Sequence, residues 1–175
     1  MKIETIVQMA KEQLLEHKEH APTFYIETAE NVDVLVLDSL PETTFAKQKL
    51  FFSIARRTAK EHKEQLPVQQ IVFVCEAWMS THKVGESWKY ASPSQDPNRT
   101  EMLTIQVLDC MPDLRASLYR VEMLRDGSGD LVDLLTMREE LECVKNRLLE
   151  SFLAGYVSAN LSDEEFFSLL TKYSG

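Results

Sequence analysis

The first forty residues change from a helical to a strand-like pattern of apolar positions. Between residues 2 and 19, apolar side chains recur every three or four positions, which predicts a helix with one buried face. Pro22 follows and is expected to end that helix. The runs 23–28 and 32–38 are rich in β-branched and aromatic residues and are joined by a short polar link. Together they predict a β-hairpin.

The middle of the chain predicts a long helix followed by a central strand. Residues 43–65 carry an apolar stripe at helical spacing, and Thr43 or Thr44 is a plausible N-cap. The near-continuous apolar run 70–79 has the length of a strand and is typical of one covered on both faces. Because a helix separates this strand from the run 32–38, we expect a right-handed crossover with the two strands parallel.

The remaining patterns predict two more strands and a helical end. Residues 101–110 alternate, and a further strand begins at residue 115 and is closed by the turn 126–129. From residue 131 onward the pattern becomes helical, and residues 162–165 form a capping box before a last helix. Five apolar residues mark the helical spacing: Leu134, Met137, Leu141, Val144 and Leu148.

These elements predict an α+β fold. We expect a single mixed, mostly antiparallel sheet of about five strands, with helices packed on it. Residues 1–130 would form the core domain, and residues 131–175 a helical segment packed on the core or used in self-association. The five apolar residues fit a coiled-coil seam over two heptads, so a homo-oligomer through the C-terminal helices stays open beside packing within one chain.

The composition of the chain disfavours nucleic acid and membranes as binding partners. The chain has 175 residues and a net charge of −9, and an acidic balance disfavours binding to nucleic-acid phosphates. No run approaches the ~20 apolar residues that span a bilayer, and the N-terminus has no signal-peptide core. We therefore expect a cytoplasmic protein without a membrane partner. The three cysteines are widely spaced, which indicates reduced thiols rather than disulfides or a zinc site.

Motifs of the common enzyme classes do not occur in the sequence. It contains no dinucleotide or Walker A glycine pattern, and no zincin, serine-hydrolase or zinc-deaminase signature. His17 and His20 could share a metal ion, but no third ligand lies nearby in the sequence, and a solvated helix terminus is preferred. We thus expect no cofactor, no metal site and no assignable catalytic residue.

The segment 75–101 stands out because it contains both tryptophans and lies between two predicted strands. If the strands 70–79 and 101–110 are neighbours in the simplest register, Glu76, Trp78 and Glu101 converge at one end of the sheet. Residues 80–99 then form a connection far longer than the usual two to five or so residues. Trp88 and Tyr90 favour a connection folded back onto the sheet, which we expect Arg99 to tie to Glu76 or Glu101.

Part of this segment resembles a known family. The residues "EAWM", followed by "PSQDPNRTE", are similar to the Glu-Ala-Trp … Pro-Ser-x-Asp-Pro-x-Arg-x-Glu core of a family of small uncharacterised bacterial and phage-associated proteins. The resemblance covers roughly the middle third of the chain and implies no particular activity. The matching positions are Glu76, Ala77, Trp78, Pro93, Ser94, Asp96, Pro97, Arg99 and Glu101.

Two functions remain from different classes. The first is a non-catalytic binding or assembly module that uses the 76–101 loop, since loops on rigid scaffolds often carry recognition. The second is a hydrolase or other acid–base enzyme, in one form metal-assisted, built on a carboxylate cluster of Glu76, Glu101 and Asp96. We favour the first, because carboxylates that hold an arginine mimic active sites. The candidate binding or loop-anchoring residues are Glu76, Trp78, His82, Trp88, Ser94, Asp96, Arg99 and Glu101.

Overall fold

The computed structural model describes residues 2–61, 68–80, 93–111, 115–137, 147–159, 162 and 164–165. The chain divides into two compact units. We call Met1–Ser39 with Val68–Val144 the sheet unit, and Leu40–Pro67 with Lys145–Gly175 the helical unit.

In the described part of the sheet unit there are one helix and six strands. They are α1 (Ile3–His17), β1 (Thr23–Glu27), β2 (Val32–Val36), β3 (Gln70–Met79), β4 (Thr100–Asp109), β5 (Arg115–Arg125) and β6 (Leu131–Met137), with a 3₁₀ turn at Pro93–Gln95. The helical unit contains α2 (Thr44–Glu61) and α3 (Arg147–Val157). None of the helices in the described part of the chain is both long and apolar enough to cross a membrane.

The six strands form one sheet in the order β2-β1-β3-β4-β5-β6, and every neighbouring pair is antiparallel. The predicted hairpin is formed by β1 and β2. Because β1 lies between β2 and β3 and is antiparallel to both, β2 and β3 run in the same direction, as expected. The protein is thus α+β with a single sheet, and the sheet has six strands rather than about five.

The sixth strand corrects the prediction for the C-terminal part. The spacing of Leu134 and Met137 predicted a helix, but both residues lie in β6, which pairs with β5. A strand forms here instead of a helix because the turn after Arg125 returns the chain along the open edge of β5. Pairing with β5 there satisfies the backbone groups of both strands. Of the other predicted helical positions, Leu141 and Val144 lie outside the described residues, and Leu148 lies in α3.

The core of the sheet unit forms where α1 covers one face of the sheet. Ile6, Ala10 and Leu14 of α1 pack against the central strands, which contribute Val72, Val74, Leu103, Ile105 and Val107 to the same cluster. The other face of the central strands is buried too, and the rings of Phe24 and Phe73 lie there with centroids 4.5 Å apart. Side chains on both faces of β3 are therefore buried, as its near-continuous apolar run predicts.

Local signals in the sequence set several boundaries. The hydroxyl of Thr43 accepts a hydrogen bond from the backbone N–H of Ala46 at 3.2 Å, which confirms the N-cap of α2. Ser162 and Glu165 form the predicted capping box, in which each side chain accepts a hydrogen bond from the other residue's backbone N–H. The carboxylate of Asp126 holds the turn between β5 and β6 by accepting hydrogen bonds from Ser128 and Asp130.

Within the helical unit, α2 and α3 approach closely at Gly155. This residue is buried inside α3, and a Cβ atom added to it would lie 2.2 Å from the carbonyl oxygen of Phe52 in α2. No Cβ contact of that length occurs without a backbone shift. Glycine is therefore required here for the two helices to reach their observed distance.

Candidate functional site

The predicted convergence at the end of β3 and β4 is confirmed by their register. Glu76 pairs with Leu103, and Trp78 pairs with Glu101. Further along the strands, Val74 lies opposite Ile105. The apolar core therefore ends at Leu103, and polar side chains occupy the next positions on the same face of the sheet.

Glu101 is held by Arg125 of β5. The Nη2 group of Arg125 donates a hydrogen bond to Oε1 of Glu101 at 2.9 Å, and its Nε group donates to Oε2. This two-pronged pair raises the pKa of Arg125, and the Glu101 side chain is only 15% exposed. Both carboxylate oxygens of Glu101 are therefore occupied by one guanidinium group.

The pairing of Glu101 corrects the role predicted for Arg99, which was expected to hold Glu76 or Glu101. The Nη1 group of Arg99 instead donates to the backbone carbonyl of Ser94 at 2.8 Å. Its guanidinium carbon lies 4.4 Å from the centroid of the Trp78 ring. Arg99 still anchors the end of the loop, but through a carbonyl group and an aromatic face rather than through a carboxylate.

Trp78 and Arg99 form an exposed stacked pair at the mouth of the 80–99 connection. Trp78 lies three residues beyond Cys75, the last buried residue of β3, and is 42% exposed. Arg99 is exposed as well. A tryptophan this open to solvent leaves a large apolar surface in contact with water.

Asp96 shapes the turn that presents Arg99. Its side chain is almost fully buried, and Oδ1 accepts a hydrogen bond from the backbone N–H of Asn98 at 2.9 Å. Its carbonyl oxygen accepts another from the backbone N–H of Arg99 at 3.1 Å. This arrangement is a turn in which an aspartate mimics backbone, so Asp96 has a structural role in the loop.

Glu76 is the half-buried carboxylate of the site. Its Oε1 accepts a hydrogen bond from the backbone N–H of His20 at 2.5 Å. Burial raises the pKa of Glu76, and the negative charges of Glu101 and Glu19 act in the same direction. The backbone N–H of His20 and the charge of Arg125 oppose this rise. Glu76 is therefore easier to protonate than an ordinary surface glutamate.

The sequence did not predict that His20 lies beside Glu76. The helix α1 ends at His17, and Lys18 takes a left-handed conformation with φ of 65°, which redirects the chain. His20 is 4% exposed, and among the described residues neither ring nitrogen has a hydrogen-bond partner. Burial lowers the pKa of His20, although its own carbonyl and that of Ala21 oppose the shift.

The signal that could have located His20 is the position of the first strand. Because β1 starts at Thr23 and the apolar stripe of α1 ends at Leu14, residues after His17 had to form a tight link toward the sheet. The left-handed turn at a lysine, which sets the direction of that link, has no sequence signal, since lysine rarely adopts it.

Two of the sequence-predicted site residues, His82 and Trp88, lie outside the described residues, as does Tyr90. Within the described ranges, no group of three or more His, Cys, Asp or Glu side chains is arranged to hold a metal ion. The described site thus consists of the half-buried Glu76 bonded to the backbone of the buried His20, the ion pair of Glu101 with Arg125, and the exposed pair of Trp78 with Arg99.

Comparison of the chain with models of protein families, with curated proteins and with solved structures finds no match in any of the three. The resemblance to the family with the Glu-Ala-Trp core therefore stays a prediction.

Proposed function

We propose that the protein is a non-catalytic cytoplasmic binding or assembly module, and that a partner binds at Trp78 and Arg99. The observation that carries this proposal is the exposed stack of the two side chains, with the guanidinium carbon 4.4 Å from the ring centroid. Tryptophan and arginine are the side chains that most often supply the binding energy of an interface. Stacking also fixes the orientation of the arginine before a partner arrives, which reduces the entropic cost of binding.

The hydrogen bonds of Arg99 indicate what a partner would offer. Only Nη1 has an acceptor among the described residues, and the acceptors are the carbonyl oxygens of Ser94 and Asp96. The Nε and Nη2 groups remain as donors directed by a fixed guanidinium plane. A carboxylate on a partner protein matches this pair of donors. The acidic net charge continues to argue against nucleic acid as the partner.

The other side chains of the site support binding rather than catalysis. Both oxygens of Glu101 are bonded to Arg125, and the carboxylate of Asp96 bonds the backbone of its own turn. Two of the three carboxylates of the predicted cluster, those of Glu101 and Asp96, are therefore used for structure, which favours binding over catalysis. Self-association through the C-terminal helices is not part of this proposal, because two of its five positions lie in β6.

Replacing Trp78 with alanine should weaken binding of the partner by about thirtyfold or more, the effect typical of an interface hot spot. The measurement is recovery of bound proteins from lysate of the source cells, followed by titration of the protein recovered. Because Trp78 is exposed at the surface, the variant should keep its fold.

Phe45 provides a matched control for this experiment. It is also an exposed aromatic residue, 65% exposed, with the Nζ atom of Lys49 4.5 Å from its ring centroid. A partner retained by Phe45→Ala and lost by Trp78→Ala would support the proposal. If both variants recover the same proteins as the unmodified chain, Trp78 is not the recognition surface.

One observation favours an acid–base enzyme as the second candidate. Burial raises the pKa of Glu76 and lowers that of His20, and the two residues are joined by a 2.5 Å hydrogen bond from the backbone N–H. The raised pKa brings the carboxylic acid of Glu76 toward the range in which proton transfer is efficient, while the lowered pKa of His20 favours its neutral imidazole, the form that accepts a proton.

If Glu76 transfers protons, Glu76→Gln should abolish any hydrolysis that the protein catalyses, with a loss of at least about a hundredfold. Glutamine keeps the acceptor oxygen for His20, so the fold should be retained. The measurement is the rate on a panel of ester, phosphoester and peptide substrates, with circular dichroism as the control for folding. Rates no higher than those in buffer alone, on every substrate, would rule out this candidate.

A further inference from the structure

Strand β2 is an edge strand whose outer backbone groups can be identified from its hydrogen bonds. The backbone N–H of Leu37 donates to the carbonyl of Pro22, and that of Thr28 donates to the carbonyl of Asn31. Hydrogen-bonded pairs alternate along an antiparallel ladder, so these two pairs fix which residues of β2 bond to β1. The N–H and C=O groups that point away from β1 belong to Val32, Val34 and Val36.

The side chains of these same three valines form an exposed apolar row. They lie on one face of the sheet because side chains alternate along a strand, and Val34, which is 56% exposed, faces Tyr25 of β1. We call Val32, Val34 and Val36 the valine row. Proteins usually protect such an edge with charged side chains, proline or a bulge. Val32–Val36 contains no lysine, proline or bulge, and its one charged residue, Asp33, lies on the other face from the valine row.

The opposite edge strand, β6, has an irregularity that β2 lacks. At the turn end of the β5–β6 pair the register shifts between Leu124 and Arg125, and a bulge twists an edge away from regular pairing. The pairing of β2 with β1 is continuous over the whole length of both strands. The edge of β2 is therefore the more regular of the two edges of the sheet.

We propose that β2 pairs with β2 of a second copy of the chain, antiparallel and about a twofold axis at Val34. In this register Val34 faces its own counterpart, and Val32 faces the counterpart of Val36. Each outward N–H of the valine row then has an outward C=O opposite it, so the backbone groups of both edges are satisfied without any other molecule. The proposal is independent of the function proposed for Trp78 and Arg99.

The side chains favour a second copy as the occupant. The valine row of each chain continues into that of the other, which makes one ladder of β-branched residues on the same face. On the other face, Asp33 falls opposite Leu35 of the second copy, so like charges do not face each other within the strand. Beyond the strand ends, Glu30 falls near Asp38 of the second copy, and salt should therefore strengthen the association.

The test is the oligomeric state of the full chain, measured by sedimentation across a range of protein and salt concentrations. The unmodified chain should form a dimer, and Val34→Lys should raise its dissociation constant by about tenfold or more, because two lysines would face each other at the axis. The control is Val132→Lys on the other edge strand, where the valine is 58% exposed. This variant should associate like the unmodified chain.

Each other outcome overturns the proposal: a strict monomer at about 100 μM, a dimer that survives Val34→Lys, or a dimer that both variants lose equally. Should Val34→Lys fail to fold, Val34→Cys gives the same answer. A hydrogen-bonded antiparallel pair places Cα atoms about 5.5 Å apart, within the range of a disulfide. Under oxidation Val34→Cys should cross-link into dimers, and Val132→Cys should do so no more than the unmodified chain.

Discussion

Replacing Gly155 with alanine should lower the free energy of unfolding by about 1–3 kcal/mol, as expected when a core contact is overpacked. The new Cβ atom would lie 2.2 Å from the carbonyl oxygen of Phe52, and backbone atoms cannot yield as a flexible side chain can. The helices α2 and α3 would have to separate, with loss of contacts around Phe152 and Tyr156. Alanine's higher helix propensity would return only about 1 kcal/mol.

Urea unfolding followed by circular dichroism measures this effect, and Gly127→Ala is the matched control. Gly127 lies in the exposed turn between β5 and β6, and a Cβ atom there meets nothing within 4 Å. The same chemical change should therefore leave the unfolding midpoint nearly unchanged. A midpoint for Gly155→Ala equal to or above that of the unmodified chain would show that the helices do not depend on this close approach.

The sequence predicted the register of β3 and β4 because both strands carry unambiguous patterns. Residues 70–79 are almost wholly apolar, and residues 101–110 alternate, so one alignment buries both sets of apolar side chains. That alignment was enough to bring Glu76, Trp78 and Glu101 to one end of the sheet. A slip of one residue would have exposed the apolar set, which is why the prediction could be specific.

The residues that complete the site could not be predicted, because their positions depend on contacts between distant segments. Arg125 reaches Glu101 only once β4 and β5 pair, and nothing near either residue in the sequence marks the other. Arg99 was the nearer candidate in sequence, but its short turn directs it to Trp78. His20 depends on a left-handed residue after α1, a local conformation that propensity disfavours.

The error at β6 has a different cause. Leu134 and Met137 fit a helical stripe, but the segment that became β6 is too short for periodicity to distinguish a helix from a strand. The competing signal was the turn at residues 126–130, which directs the chain back along β5. In this case the hairpin decided the structure, since pairing with β5 satisfies backbone groups that a helix would have left open at the edge of the sheet.

Replacing Arg125 with methionine should lower the free energy of unfolding by about 1–3 kcal/mol, because both oxygens of the largely buried Glu101 would lose their partner. The loss should be greater at pH 7 than at pH 4. Burial already raises the pKa of Glu76 above its ordinary value of 4.5 in the folded protein. Ionising Glu76 therefore lowers the free energy of unfolding as the pH rises through that range. Removing the charge of Arg125 raises that pKa further and increases the cost.

Arg99→Met is the matched control, since it removes an exposed guanidinium group that, among the described residues, bonds carbonyl oxygens and stacks on Trp78. It should cost less than about 1 kcal/mol. Adding Glu101→Gln to Arg125→Met should then recover part of the loss, because the double variant no longer buries an unpaired charge. If Arg99→Met proves as costly as Arg125→Met, or if the double variant is no more stable than Arg125→Met alone, Arg125 is not the residue that compensates Glu101.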